Sequence, residues 1–140
     1  MKTILITALF ISSISFAQTT TSGDTTPAAP LFNTLKDNMK DMSKTWKAIA
    51  AQAKDPSKNA ASEKLALDLA KSTADAKLHI PTQTAPDKAG QDLYIHMIDG
   101  VIQSANDLAT AFHENDNAKA IIILNALSQQ KKDGHERFKN

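Results

Sequence analysis

The chain has 140 residues, 41% hydrophobic and only 5% aromatic, with 4 Gly and no Cys, a composition that fits one small helix-rich domain and leaves nothing for a second. Its formal net charge is +1, falling to 0 (+1 − 1) if the leader that contains Lys2 is removed, so it offers no steering field for nucleic acid or an anionic membrane. The absence of cysteine excludes disulfides, a lipid anchor at a cleavage site and any thioether-attached cofactor, and the fold must rest on apolar burial.

Residues 1–17 read as a secretory signal peptide. Lys2 precedes an apolar run from Ile4 to Ile11, and Ser15 and Ala17 occupy the −3 and −1 positions of a cleavage site. The run is too short to cross a hydrocarbon core of roughly 30 Å, which takes a helix of about 20 residues. Residues 18–30 (QTTTSGDTTPAAP) hold no large apolar group and cannot offset their ordering entropy, so a flexible leader is expected before a domain over 31–140.

Helix 1 follows. Phe32, Leu35, Met39, Met42, Trp46, Ile49 and Ala53 recur at intervals of three and four, which places them on one helical stripe, and Asp55-Pro56 closes it. Pro56 suits the first turn of helix 2 with Asp55 as its cap. That helix is expected to reach about Leu78, with Ala61, Leu65, Leu69, Ala76 and Ile80 as a weaker buried stripe. Pro81 and Pro86 then break the chain. Helix 3 is expected over 87–113, with Tyr94, Ile98, Val101, Ala105, Leu108 and Phe112 inward. Glu114-Asn115-Asp116-Asn117 is a turn in which Asp116 or Asn117 can cap helix 4. Helix 4 carries Ile121, Leu124, Ser128, Lys131, His135 and Phe138 at the same spacing. Four helices with short connections predict an all-α, antiparallel up-down-up-down bundle.

In such a bundle the start of helix 1 and the end of helix 4 share one end. A rise of 1.5 Å per residue puts Met39 on the order of 10 Å inward and His135 on the order of 5 Å inward from that end. A thioether sulfur and an imidazole nitrogen on the two inward stripes would then face each other, a ligand pair that suits a low-spin haem iron used for electron transfer. The bland alternatives are a methionine that only packs and a histidine that eases a helix dipole at the surface.

The same residues resemble the cytochrome b562 family, over residues 31–139. Asp37-Asn38-Met39 is similar to the family's opening helix, in which the methionine is a haem ligand. His135-Glu136-Arg137-Phe138-Lys139 is similar to its closing motif of histidine, any residue, base, aromatic, base. The resemblance implies a periplasmic b-type cytochrome that carries single electrons, with one non-covalent haem b per chain held by Met39 and His135. It also implies Tyr94 and Ile98 as haem-wall positions, and Lys131 and Lys139 in place of family arginines beside the propionates. Ile98 for an aromatic residue, Trp46 for an aliphatic one and Gly134 beside His135 depart from the pattern.

His79, in the loop at the same end, is a competing ligand that could replace Met39. His96, with Asp92 one turn before it, is expected to make a polar contact on the outer face of helix 3, and His113 to sit at that helix's C-terminus. No Glu-x-x-His occurs, which argues against a di-iron bundle, and no nucleophile and base set or phosphate loop suggests an enzyme. The expected partners are periplasmic redox proteins of unknown identity, and the expected state is a monomer. The rival reading is a haem-free bundle of the same ancestry that acts as a periplasmic binding or stress-response module.

Overall fold

The computed structural model describes residues 29–138. The expected signal peptide, most of the leader, and Lys139 lie outside the described residues. Four helices run through the rest: α1 (Leu35–Gln52), α2 (Asn59–Ala76), α3 (Lys88–His113) and α4 (Asn117–Phe138), with a 3-10 turn at Pro56–Lys58. They form an all-α bundle in the expected up-down-up-down order, with no strand among the described residues.

The starts of α1, α3 and α4, and of the 3-10 turn that leads into α2, are each fixed by a short polar side chain that accepts from an otherwise unpaired backbone N–H, whereas α2 itself has no side-chain cap. The Thr34 hydroxyl oxygen accepts from the Asp37 N–H at 3.1 Å while donating to Asp37 Oδ2 at 2.7 Å, which begins α1 three residues later than the apolar stripe suggests. Asp55 accepts from both the Ser57 N–H and its hydroxyl, and these bonds hold its carboxyl below the usual carboxylate range. Asp87 Oδ1 accepts from the Gly90 N–H at 2.7 Å. There a Cβ would lie 3.2 Å from the Ala85 Cα, so glycine lets the α2–α3 connection pack on the first turn of α3. Between α3 and α4, Asn115 turns the chain at φ 58° and the Asp116 N–H reaches the Ala111 carbonyl at 2.8 Å. This closure accepts asparagine in the left-handed region, and Asp116 then caps α4 through the Lys119 N–H.

The core is in two pieces. The larger is built on Ile49, Leu69, Leu108, Phe112, Leu124 and Leu127 together with many alanines, and the smaller on Ala76, Tyr94 and Ile98 with Leu35, Met39 and Phe138 against them. The inward stripe expected for α3 is observed. The one expected for α2 is observed at Leu65, Leu69, Ala76 and Ile80 but not at Ala61, which is exposed, and the buried face is widened by Ser62, Ala66, Ser72 and Thr73. Two of these hydroxyls bond to the helix backbone or to a half-buried acid, while the Ser62 hydroxyl has no partner among the described residues. Thr73 donates to the Leu69 carbonyl at 2.7 Å and Ser72 to Asp41 at 3.0 Å. In α4 the buried positions are Ala120, Leu124 and Leu127, so Ser128, Lys131 and His135 lie on an exposed flank and not on the inward stripe.

α1 packs on α2, α2 on α3 and α3 on α4, whereas α1 and α4 are scarcely joined. A buried amide fastens the first of these seams. Asn38, fully buried, donates to the Ser72 carbonyl at 2.8 Å and to Asp75 Oδ2 at 3.3 Å, and Asp75 Oδ1 accepts the Leu31 N–H at 2.6 Å. Removing one partner from a buried network leaves the other desolvated. Asn38→Ala is therefore expected to lower unfolding free energy by about 2–4 kcal/mol, read as a fall in the urea midpoint.

Candidate functional site

The gap between the two core pieces is a cavity of about 660 Å³, within the range of about 300–1,000 Å³ usual for cofactor pockets. α1 contributes Leu35, Met39, Met42 and Trp46 to its walls, α3 contributes Tyr94, Met97, Ile98 and Val101, and α2 closes it with Leu69. From α4 come Leu127, Gln130, Lys131, Gly134, His135 and Phe138. The exposed members of this lining are Lys36, Lys40, Lys131 and His135, so the mouth opens along the unpacked α1/α4 seam.

Met39 and His135 thus line one cavity from the two helices that flank its opening. They do so unequally: Met39 is half-buried inside and His135 is exposed at the rim. Tyr94 and Ile98, the expected wall positions, are both buried. Tyr94 is fixed at two points, by a hydrogen bond from its hydroxyl to the Ala76 carbonyl at 2.9 Å and by an edge-on contact with Phe138 at 5.3 Å between ring centroids. Burial pushes the Tyr94 phenol up to about 12. Phe138 is held in turn by Thr84, whose hydroxyl donates to the Phe138 carbonyl at 2.9 Å, so the connection before α3 ties down the end of α4.

The other histidines are elsewhere. His79 does not line the cavity; its Nε2 is 3.5 Å from Asp75 Oδ2 and its side chain is largely buried, where a solvated loop residue was the alternative to a ligand. His96 is on the outer face of α3, but Asp92 pairs with Lys88 and not with it. His113 meets Glu63 at 3.3 Å at the far end of the bundle.

Several lining residues escape a reading of the sequence. Met42 and Trp46 sit on the expected stripe but read as packing, and Met97 lies one position off the inward face of α3. Lys36 and Lys40 flank Met39 at −3 and +1, which is the signal that could have found them. Gln130 donates through Nε2 to Ser104 Oγ at 3.1 Å, while its Oε1 is buried without a partner among the described residues.

These residues fit a flat apolar cofactor with charged substituents on one side. The walls are apolar, a thioether and an imidazole border the same space, and cations ring the mouth. A four-helix bundle that leaves one seam open around such a slot defines a cofactor-carrying bundle protein. Residues 34–139 match the family model described as cytochrome b562, and the chain belongs to that family. It is accordingly a b-type haem-binding electron-transfer protein, a carrier and not an enzyme, and its haem b is held non-covalently. Members of the family are periplasmic. No curated protein and no solved structure matches the chain.

Two outcomes follow from this geometry. Tyr94 stays protonated in the folded protein to about pH 12 but ionises near pH 10 when unfolded. The stability it contributes is therefore complete below pH 10 and lost as pH rises through about 12. Tyr94→Phe is expected to cost about 1 kcal/mol at neutral pH through the lost hydrogen bond and to flatten that alkaline decline, as followed by urea unfolding at stepped pH. At Gly134 an added Cβ would meet Met97 Cε at 4.0 Å, an ordinary contact. Gly134→Ala should then raise the melting point of the haem-free protein, by up to about 1 kcal/mol in helix propensity, while placing a methyl in the slot.

Proposed function

We propose that Met39 and His135 are the axial ligands of the haem, and that the chain is an exported carrier of single electrons. The observation that carries this reading is the shared cavity, which Met39 reaches from α1 and His135 from α4 across the one unpacked seam. When bound, haem b supplies one-electron exchange between ferric and ferrous iron.

The chain's own residues do the rest. The Met39 thioether and the His135 imidazole, a soft sulfur and a nitrogen donor, would hold the haem iron, and such a pair would favour a raised potential and electron carriage. Tyr94 and Ile98 form a rigid wall, the former held by Ala76 and Phe138. Trp46, Leu69 and Leu127 exclude water at the closed side of the slot. Lys131, at the mouth, is a counter-charge for a propionate, and Lys139 is the second one we propose by the family pattern. His79 has no part in ligation on this reading, because it does not line the cavity.

The lysine of the n-region, the apolar run and the Ser15-Phe16-Ala17 site support removal of residues 1–17 on export, with 18–30 as a leader to the domain over 31–140. The partners are then redox proteins of the periplasm, met by a monomer. None of the described helices is long and apolar enough to cross a membrane.

Titration of the purified mature protein with haemin tests the ligand pair. A 1:1 complex with a sharp low-spin reduced spectrum is expected, and Met39→Ala and His135→Ala should each abolish the low-spin form and weaken binding by about tenfold or more. Haem uptake with a low-spin spectrum retained in both variants would rule the pair out, and no uptake at all would rule out the carrier.

A further inference from the structure

We propose that Lys36 and Lys40 on α1 act with Lys131 on α4 as a three-cation clamp for the two haem propionates, holding the charged edge of the ring at the α1/α4 seam. The inference rests on the haem-binding reading above and adds to it the residues and the side of the bundle that face the carboxylates.

Three independent features of the molecule support it. First, the charged residues that line the cavity are Lys36, Lys40 and Lys131, with His135 beside them, and no carboxylate among the described residues lines it. A ligand that brings two negative charges finds only cations there, and it finds them all at one side. The three lysines are exposed at the mouth, whereas Leu69 and Leu127 on the closed side are buried. The slot is therefore polarised in the same sense as a porphyrin whose carboxylates share one edge.

Second, these lysines have no acidic partner among the described residues, although many lysines elsewhere do. Lys64 pairs with Asp68, Lys77 with Asp99, Lys119 with Glu114 and Lys132 with Glu136. The acids nearest the mouth are committed to other bonds. Asp37 bonds to the Thr34 hydroxyl, Asp41 accepts from Ser72, and Asp133 accepts from the Gln129 amide.

Third, the spacing is right for a ligand that enters beside Met39. Lys36 and Lys40 are one turn apart on one face of α1 and bracket Met39, while Lys131 is one turn before His135 on the facing lip. A lysine is a mobile point charge with no bidentate fork, so the clamp works by number and placement. Lys44 and Lys47 continue the exposed face of α1 but do not line the cavity, which makes them controls of equal charge.

The test compares the affinity of the full mature protein for haemin with that for haemin dimethyl ester, in which both carboxylates are uncharged. Lys36→Gln, Lys40→Gln and Lys131→Gln should each weaken haemin binding by about two- to five-fold, the range expected for exposed charge pairs, with a larger loss in the triple variant. The same variants should bind the dimethyl ester as the unaltered protein does, and Lys44→Gln and Lys47→Gln should change neither affinity. An unchanged haemin affinity in the triple variant overturns the clamp, as does an equal loss for both ligands. Protein that binds the ester but gains nothing from the free acid also overturns it while leaving the haem reading intact, and binding of neither ligand removes both.

Discussion

Everything in this fold that bears on function follows from one seam that is not packed. In an up-down-up-down bundle each helix has two neighbours, and the first and last helices would normally complete the ring. Here α1 is fastened through α2 by the buried Asn38 amide and the Asp75 carboxylate, and α4 is fastened through α3. The result is a core divided between a large alanine-rich piece and a small one around Tyr94, with the cavity as the missing middle. A cofactor in that middle would restore apolar contact on both sides, so haem binding and completion of the core are one event.

The polar interior serves this arrangement. A bundle with only seven aromatic side chains in the whole sequence has little bulk with which to hold a slot open, since small side chains let helices close on each other. Hydrogen bonds do the holding instead: Asn38 to Ser72 sets the α1/α2 seam, Tyr94 to Ala76 sets the α2/α3 seam, and Thr84 to Phe138 sets the end of α4. Each is directional, so each fixes the depth and rotation of a helix where apolar contact alone would permit sliding.

Most of the fold was legible in the residues, and the reasons for the exceptions are physical. α1 and α3 carry strong apolar stripes, and their lengths and inward faces follow from period and caps. In α2 the letters mislead, because Ser62, Ser72 and Thr73 are inside and Ala61 is outside. An alanine contributes little to either environment, and a helical hydroxyl can satisfy itself on its own backbone. In α4 the interval pattern placed His135 inward, yet the buried row passes through Leu124 and Leu127 and leaves His135 on the flank. That flank borders the cavity only because α1 stands off, a tertiary fact that no single helix encodes. Met39 and His135 were legible as two side chains at one end of the bundle, and Tyr94 and Ile98 only through the family resemblance; all four line the cavity. Lys36 and Lys40 were not singled out, because the mouth they border is created by the same missing contact.

At the end of the bundle away from the cavity, Asn59 and Asn117 exchange side-chain amide bonds at 2.9 and 3.0 Å, and Asn117 also donates to the Ala53 carbonyl at 2.8 Å. These two residues thereby join the end of α1, the start of α2 and the start of α4 in one knot, beside the larger core. The molecule is built like a pair of tongs, with a riveted end and a working end. Separating α1 from α4 at the working end breaks almost no existing contact, while doing so at the knot would strand buried amides. Sub-global opening should accordingly begin at the Met39 end, which gives a flat ring a way in that leaves the rest of the bundle folded.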